Sequence, residues 1–301
     1  PSFNAVSDDV VPGGFSVKDA NGVISTIFFS KGNLYATDNS KWGFEANQYD
    51  YRTYVGKPNC VDGTIDATGT ASKNWGLFGW PYADYYGRFD KNNTNYYSGN
   101  FNEFGKVFGN DSPWRTLTRY EWKWLIGPLT SKVHEMQCRQ SSTVNNVINA
   151  RFMKCTVGNT IGVLLFPDVF SWPKDAGAPA ESSATAVNKH DAKFKDVTYA
   201  LDKFKMLESA GAVFLPAAGE RSATTIYYDG GVSDTSNKDL AYGFYWSSTA
   251  VSSSDTEGTP PNKISDYKNK GWAFFFAETG VGEGARYRYY GHFVRLVRKA
   301  E

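Results

Sequence analysis

The stretch from Gly271 to Arg298, GWAFFFAETGVGEGARYRYYGHFVRLVR, constrains the fold more than any other. It sets two apolar segments, Trp272 to Phe276 and Phe293 to Val297, on either side of a Gly-rich reversal and the run Arg286-Tyr287-Arg288-Tyr289-Tyr290. Aromatic and β-branched residues favour extended flanks, and Gly280, Gly282 and Gly284 let the chain turn back. Phe274 and Phe276 alternate with Ala273 and Phe275, which gives the first strand one buried face and one outward face. Between the strands lies a strip of tyrosine, arginine and His292 that no core requires. Tyr and Arg give large contact area and directional hydrogen bonds for modest ordering cost, so the strip reads as a binding surface carried by the rest of the chain.

Composition narrows the class. A chain of 301 residues suffices for one large core or two ordinary ones. A formal net charge of +1 provides no whole-molecule field towards nucleic acid or membrane. The 9 Trp, 19 Tyr and 21 Phe, with 29 Gly, suit a loop-rich and largely β protein whose rings fill the gaps between irregular segments. Apolar runs such as Val163 to Phe166 and Ala273 to Ala277 are too short to span a bilayer. No signal peptide is legible, and a start at Pro1 fits a mature or trimmed form. Cys60, Cys138 and Cys155 lack CxxC spacing and leave two readings open: a Cys138–Cys155 bridge with a free Cys60, or three reduced thiols.

Along the chain, residues 1–14 end in Pro12-Gly13-Gly14 and read as a lead-in or linker. Phe15 to Val17 and Ile24 to Ser30 predict a hairpin across Asn21-Gly22. Trp42 to Tyr54 suits a further strand or an ordered loop. Residues 57–110 are rich in Gly, Asn, Asp and Tyr and predict a long loop region held by Trp75, Phe78 and Trp80. Thr118 to Glu121 has capping-box spacing ahead of a short helix bearing Trp122, Leu125 and Ile126. A second helix is expected from Val197 to Ala210, with Leu201, Phe204 and Leu207 as its stripe and Gly211 beyond its end. Phe152 to Val157 and Ile161 to Phe166 predict a hairpin around Gly158-Asn159, and Ala212 to Ala217 a short strand. Residues 173–193 and 229–239 read as surface loops, and Ala250 to Asp266 as a loop leading into the last strands. Two helices with short antiparallel strands give an α+β class.

Several words along this order are recognisable: Phe29-Ser30-Lys31-Gly32-Asn33-Leu34, Glu45 to Asp50, Leu77-Phe78-Gly79-Trp80, Trp114 to Thr118 with Glu121-Trp122, Leu164 to Asp168, Gly211 to Gly219, Tyr245 to Thr249 and Val294 to Arg298. Together they resemble a family of large C-type-lectin-like domains from gut Bacteroidales and their phages, related to the formylglycine-generating-enzyme branch of that fold. Some members are variable proteins of diversity-generating retroelements, whose C-terminal segment is rewritten at template adenines. The resemblance implies a C-type-lectin-like fold with two helices, twisted antiparallel strands and long loop insertions. It implies one ligand-binding domain over 15–301, with a variable-type segment at about 245–298. The diversified positions it implies are Ala285, Arg286, Tyr287, Arg288, Tyr289, Tyr290 and His292, with looser candidates at Ala250, Ser252, Ser253, Phe274 and Phe276. Glu283, Trp272 and Lys299 cannot arise from rewritten Asn codons and read as fixed scaffold.

The function implied is non-catalytic display of a ligand-binding surface, as an adhesin or receptor-binding protein outside the cell, on a bacterial surface or a phage particle. Its partner would be a protein or glycan on another cell. A fixed-sequence carbohydrate-binding or fimbria-associated module of the same fold is the main rival. Nucleic acid is disfavoured by neutral net charge and by the lack of an RNP or helix-turn-helix pattern. An enzyme of the formylglycine-generating type would need cysteines near the C-terminus, and none follows Cys155. His134, His190 and His292 lack metal-type spacing and read as surface or loop histidines. No cofactor is called for. A structural calcium ion would have oxygen ligands available at Asp90, Asn92, Asn93 and Asn95, or at Asp229, Asp234 and Asp239, although such loops are ordinarily turns. The EPN, QPD and WND words of sugar-binding C-type lectins are absent, while Trp80, Tyr82, Tyr85 and Tyr86 could stack on sugar rings or fill the core under the long loop.

Overall fold

The opening hairpin forms as its turn residues require. In the computed structural model, β1 (Phe15–Lys18) and β2 (Ile24–Phe29) pair antiparallel, Phe15 opposite Ile27 and Lys18 opposite Ile24. Gly22 takes the left-handed conformation at φ 84°, and the Asp19 carboxylate accepts the N–H groups of Asn21 and Val23 at 2.8 and 2.9 Å. The structure describes residues 9–38, 41–52, 76–81, 99–126, 143–144, 147–148, 150–177, 187–222, 225–227, 241–258 and 260–300. Over these the chain is mixed α+β, mostly strands with two helices, and no sheet closes into a barrel.

A second hairpin, β3 (Leu34–Asp38) and β4 (Lys41–Phe44), precedes a 3₁₀ turn at Phe104–Phe108 and the short β5 (Arg115–Thr116). Helix α1 (Arg119–Ile126) begins with the expected capping box. Glu121 accepts from the Thr118 N–H at 2.8 Å, and the Thr118 hydroxyl accepts from the Glu121 N–H at 3.3 Å. After the short pair β6 (Thr143–Val144) and β7 (Val147–Ile148), β8 (Phe152–Val157) and β9 (Thr160–Leu165) make the predicted hairpin with Gly158 at φ 59°. Helix α2 (Leu201–Ser209) starts four residues later than predicted. The preceding residues form β10 (Thr198–Tyr199), which pairs parallel with β8. Phe204 and Leu207 are buried, whereas Leu201, assigned to the same stripe, is exposed. β11 (Val213–Pro216) then pairs with β9.

β12 (Glu220–Ser222) and β13 (Thr225–Tyr227) form a small hairpin. β14 (Tyr242–Ala250), the short pair β15 (Thr256–Glu257) and β16 (Asn262–Lys263), β17 (Lys270–Ala277), β18 (Gly280–Tyr287) and β19 (Leu296–Lys299) complete the chain. The Gly-rich stretch is therefore a strand. Gly280, Gly282 and Gly284 all pair with β17, and the reversal falls on Glu278 and Thr279.

Three sheets organise these elements, in the orders β1-β2-β19-β5, β10-β8-β9-β11 and β14-β17-β18. The largest apolar cluster joins residues from Val11 to Val297, including Phe29, Trp122, Phe152, Leu215, Tyr245, Phe274 and Phe276. Residues 9–14 are part of this frame and not a loose lead-in. Val10 bridges Ser30, Val11 is buried, and the N–H of Val11 donates to Phe29 O at 3.0 Å. Cys155 is a free, buried thiol whose pKa burial raises. Cys60, Cys138, most of the 57–110 region and the loop at 229–239 lie outside the described residues.

Candidate functional site

The three-stranded sheet β14-β17-β18 sorts its side chains between two faces, because in-register neighbours share a face. Tyr245, Phe274, Phe276 and Val281 turn inward, and the Trp122 ring lies flat on Phe274 at 4.8 Å between centroids. The other face carries Tyr242, Phe244, Trp246, Ala273, Phe275, Gly282, Gly284 and Arg286. Tyr242 stacks on Phe244 at 5.5 Å. The Arg286 guanidinium sits 5.2 Å from the Phe244 centroid and 5.8 Å from that of Phe275. A Cβ at Gly280 would meet nothing within 4 Å. This end of the face therefore stays thinly covered, and Tyr242, Phe275 and Arg286 remain half-buried.

Beyond β18 the chain turns tightly, with the Tyr290 N–H donating to Tyr287 O at 3.0 Å. The turn brings three tyrosine rings together: Tyr287 and Tyr289 stack at 5.3 Å, and Tyr290 stands edge-on to both at 5.9 and 5.0 Å. Burial, then neighbouring charge, raises the pKa of Tyr287 and of Tyr289, Asp266 acting on the first. Arg288 holds the turn down from beneath. It is 3% exposed, donates to Lys270 O at 3.2 Å and Gly99 O at 2.9 Å, and lies 4.1 Å from the Trp80 ring centroid. The Trp80 N–H donates in return to Arg288 O at 2.8 Å. Burial brings the Arg288 pKa down to about 10.

His292 is sealed beneath the same face. It is 0% exposed, flanked by the Phe244 ring at 5.1 Å and the Trp246 ring at 4.1 Å, and its backbone pairs with Phe78. Its Nε2 lies 2.8 Å from a Glu220 carboxylate oxygen. Burial pushes the imidazole pKa below its ordinary value, Glu220 opposes this, and Arg286 and Arg221 reinforce it. The neutral ring thus donates from Nε2 to Glu220 and anchors the strip to β12.

The twelve residues picked out from sequence divide accordingly. Tyr287, Tyr289 and Tyr290 are half-buried and share one patch, whereas Arg286, also half-buried, lies over Phe244 and Phe275 on the face of β18 opposite to Tyr287. Arg288 and His292, expected to stand outward, are buried because carbonyls, a carboxylate and aromatic rings take up their polar edges and faces. Ala285 is buried against Trp272 and Val251. Phe274 and Phe276 are core, and Phe275 is the outward member of that alternation. Ala250, Ser252 and Ser253 are exposed. Ala250 aligns across the sheet with Gly271 and Arg286, but the Trp80 ring fills the space over Gly271 between them. Ser252 and Ser253 belong to a separate loop, pinned by Asp255, which accepts the Ser252 N–H at 2.8 Å and pairs with Arg119 at 3.2 Å.

Two of the residues read as scaffold have a structural role in keeping with that reading. Glu283 receives two hydrogen bonds from Arg119 at 2.8 and 2.6 Å, and Trp272 lies buried with the Arg119 guanidinium 3.5 Å from its ring centroid. Sequence reasoning missed Tyr242, Phe275, Glu220 and Arg221. The alternation of β17 was the signal for Phe275, and the Tyr242/Phe244 spacing was the signal for Tyr242. Nothing local marks Glu220, which meets His292 from 72 residues away. Trp80, a possible sugar-stacking ring, is buried and donates from Nε1 to Ser247 O at 2.9 Å.

This arrangement offers ring faces and tyrosine hydroxyls on a firm base, a set suited to contact with another molecule. Among the described residues no group of three His, Cys, Asp or Glu side chains is placed to hold a metal ion, and the calcium candidates named from sequence lie outside those residues. No described helix is long and apolar enough to cross a membrane. The chain matches no protein-family model, no curated protein and no solved structure.

Proposed function

We propose that the chain is a non-catalytic ligand-binding protein of the C-type-lectin-like fold, a variable protein of the retroelement-diversified type. It acts outside the cell, on a bacterial surface or a phage particle, as an adhesin or receptor-binding protein for a protein or glycan on another cell. One observation carries this reading: Tyr287, Tyr289 and Tyr290 form a half-exposed ring cluster, while Arg288 and His292 fix its base from below. Rigid aromatic anchors on a held backbone lower the ordering cost of binding. Two helices and mostly antiparallel sheets among the described residues are consistent with the fold, and a core drawn from Val11 to Val297 supports a single domain.

The test is a screen of glycans and cell-surface proteins against the wild-type chain and a Tyr287→Ser/Tyr289→Ser/Tyr290→Ser variant whose melting curve shows it folded. A ligand that binds the first and not the second is expected. Ligands captured equally by both would sink the assignment of this patch.

The rival, a fixed-sequence carbohydrate-binding or fimbria-associated module, gains support from the burial of Ala285, Arg288 and His292. Rewriting those positions would disturb the frame. A near-copy of the C-terminal coding segment beside the gene, differing at adenines and accompanied by a reverse transcriptase, decides for diversification, and its absence decides for the rival.

A further inference from the structure

A cleft of about 400 Å³ opens between the β1–β2 turn and α1, with Lys18, Asp19, Asn21, Tyr120, Lys123 and Trp124 among its walls. It is separate from the tyrosine patch. Lys123 reaches from α1 towards Glu283 at 3.7 Å, and none of the three tyrosines lines the cleft. The volume matches a ligand of one or two sugar rings.

The charges in the cleft are unequally committed. Asp19 has its Oδ1 engaged by the two turn N–H groups, and Lys123 is drawn to Glu283. The Lys18 ammonium rests 4.9 Å from the Trp124 ring centroid and pairs with no carboxylate among the described residues. An ammonium set against a ring is shielded from water on that side, which strengthens its attraction for an arriving anion. Tyr120 adds an aromatic side chain that is 46% exposed, large for a residue on the first turn of a packed helix. The Asn21 side chain and the tyrosine hydroxyl add donors and acceptors for a hydroxyl-rich partner.

We infer that this cleft is a second ligand site, for a carboxylated sugar: Lys18 meets the carboxylate, Tyr120 covers the apolar face of the ring, and Asn21 meets hydroxyl groups. A fatty or aromatic acid suits it less well, because most of the wall is polar.

Saturation-transfer NMR with methyl β-D-glucuronide, and with methyl β-D-glucoside as the partner lacking only the carboxylate, tests the inference on the full chain. The glucuronide should bind, and the glucoside should bind at least about tenfold more weakly, the usual worth of a charge-assisted hydrogen bond. Lys18→Met should weaken glucuronide binding by about tenfold, and Tyr120→Ala by roughly fivefold. Tyr120 is exposed, so its variant reports on the site even if Lys18→Met fails to fold. The Tyr287→Ser/Tyr290→Ser variant should bind glucuronide like the wild type, which keeps this site distinct from the patch above. Equal binding of the two sugars, no signal from the glucuronide, or wild-type binding by folded Lys18→Met and Tyr120→Ala would overturn it.

Discussion

Tyr287 and Arg288 are neighbours in sequence with opposite roles. Tyr287 contributes one half-exposed ring to a cluster, and Arg288 spends its donors on carbonyls beneath it. Replacing Tyr287 or Tyr290 by Ser should lower stability by only about 0.5–1 kcal/mol, the worth of an aromatic pair. Arg288→Ala should lower it by about 2–4 kcal/mol, because it takes the guanidinium donor from Gly99 O, leaves Lys270 O with the Val251 N–H, and uncovers Trp80. Urea denaturation of the three variants would separate these costs, and equal losses would contradict the division between contact and support.

His292 gives the residue scale a pH dependence. In the unfolded chain its imidazole titrates near 6.5, whereas burial holds it lower in the fold. As pH falls below 6.5 the unfolded chain takes up the proton first, so stability is lost from there down through the folded value. Above 6.5 neither form is protonated and the contribution is constant. His190 is also lowered, by burial, and acts in the same direction, while Glu45 and Glu103, raised by burial, act oppositely above 4.5. Comparison with a variant therefore isolates the effect. His292→Gln should show a smaller fall in urea midpoint between pH 7 and pH 5 than the wild type, and an unchanged slope would remove His292 as its source. The residue types of the strip were legible in the sequence, but their burial was not. Tyr and Arg serve surfaces and buried clamps equally well, and the partners that decide, Trp80, Gly99 and Glu220, come from distant segments.

At the scale of elements, local chemistry was readable wherever it was self-contained. The Thr118/Glu121 box, the Asn21-Gly22 turn and the Gly158 reversal all formed as their residues dictate. The glycines of β18 misled because Gly is both a turn former and the residue that leaves room beside a strand. Their contexts differ in a way that can be measured. Gly280 faces open space, so Gly280→Ala should stabilise by about 0.4–1 kcal/mol through a less free unfolded chain. At Gly271 an added Cβ would lie 2.7 Å from the Trp80 ring, so Gly271→Ala should destabilise by about 1–3 kcal/mol. It should also loosen the ring on which Arg288 rests. Paired thermal melts read both signs, and a matching shift in the two variants would refute the account. The late start of α2 has a similar cause: Thr198 and Tyr199 are taken up as strand β10 by β8, a competition invisible to helical periodicity.

Over the whole molecule, the apolar core depends on a few large rings shared between elements. Trp122, 2% exposed, touches Phe29, Tyr245 and Phe274, so it joins the opening hairpin to the sheet that carries the candidate site. Trp122→Ala should cost about 3–5 kcal/mol, as for other buried rings. Trp114 is only half-buried against Phe44, and its Ala variant should cost about 1–2 kcal/mol. Chemical denaturation distinguishes the two, and similar losses would mean that the core is not divided as described. The strand β19 closes the frame from both sides, pairing with β2 and β5, and just before it Arg295 reaches back 262 residues to Asn33. Synthesis must therefore run on from β2 to Lys299 before β2 finds its second neighbour beside β1. Until then the nascent chain exposes a hydrogen-bonding edge to whatever binds it first, which makes its synthesis a period of dependence on chaperones.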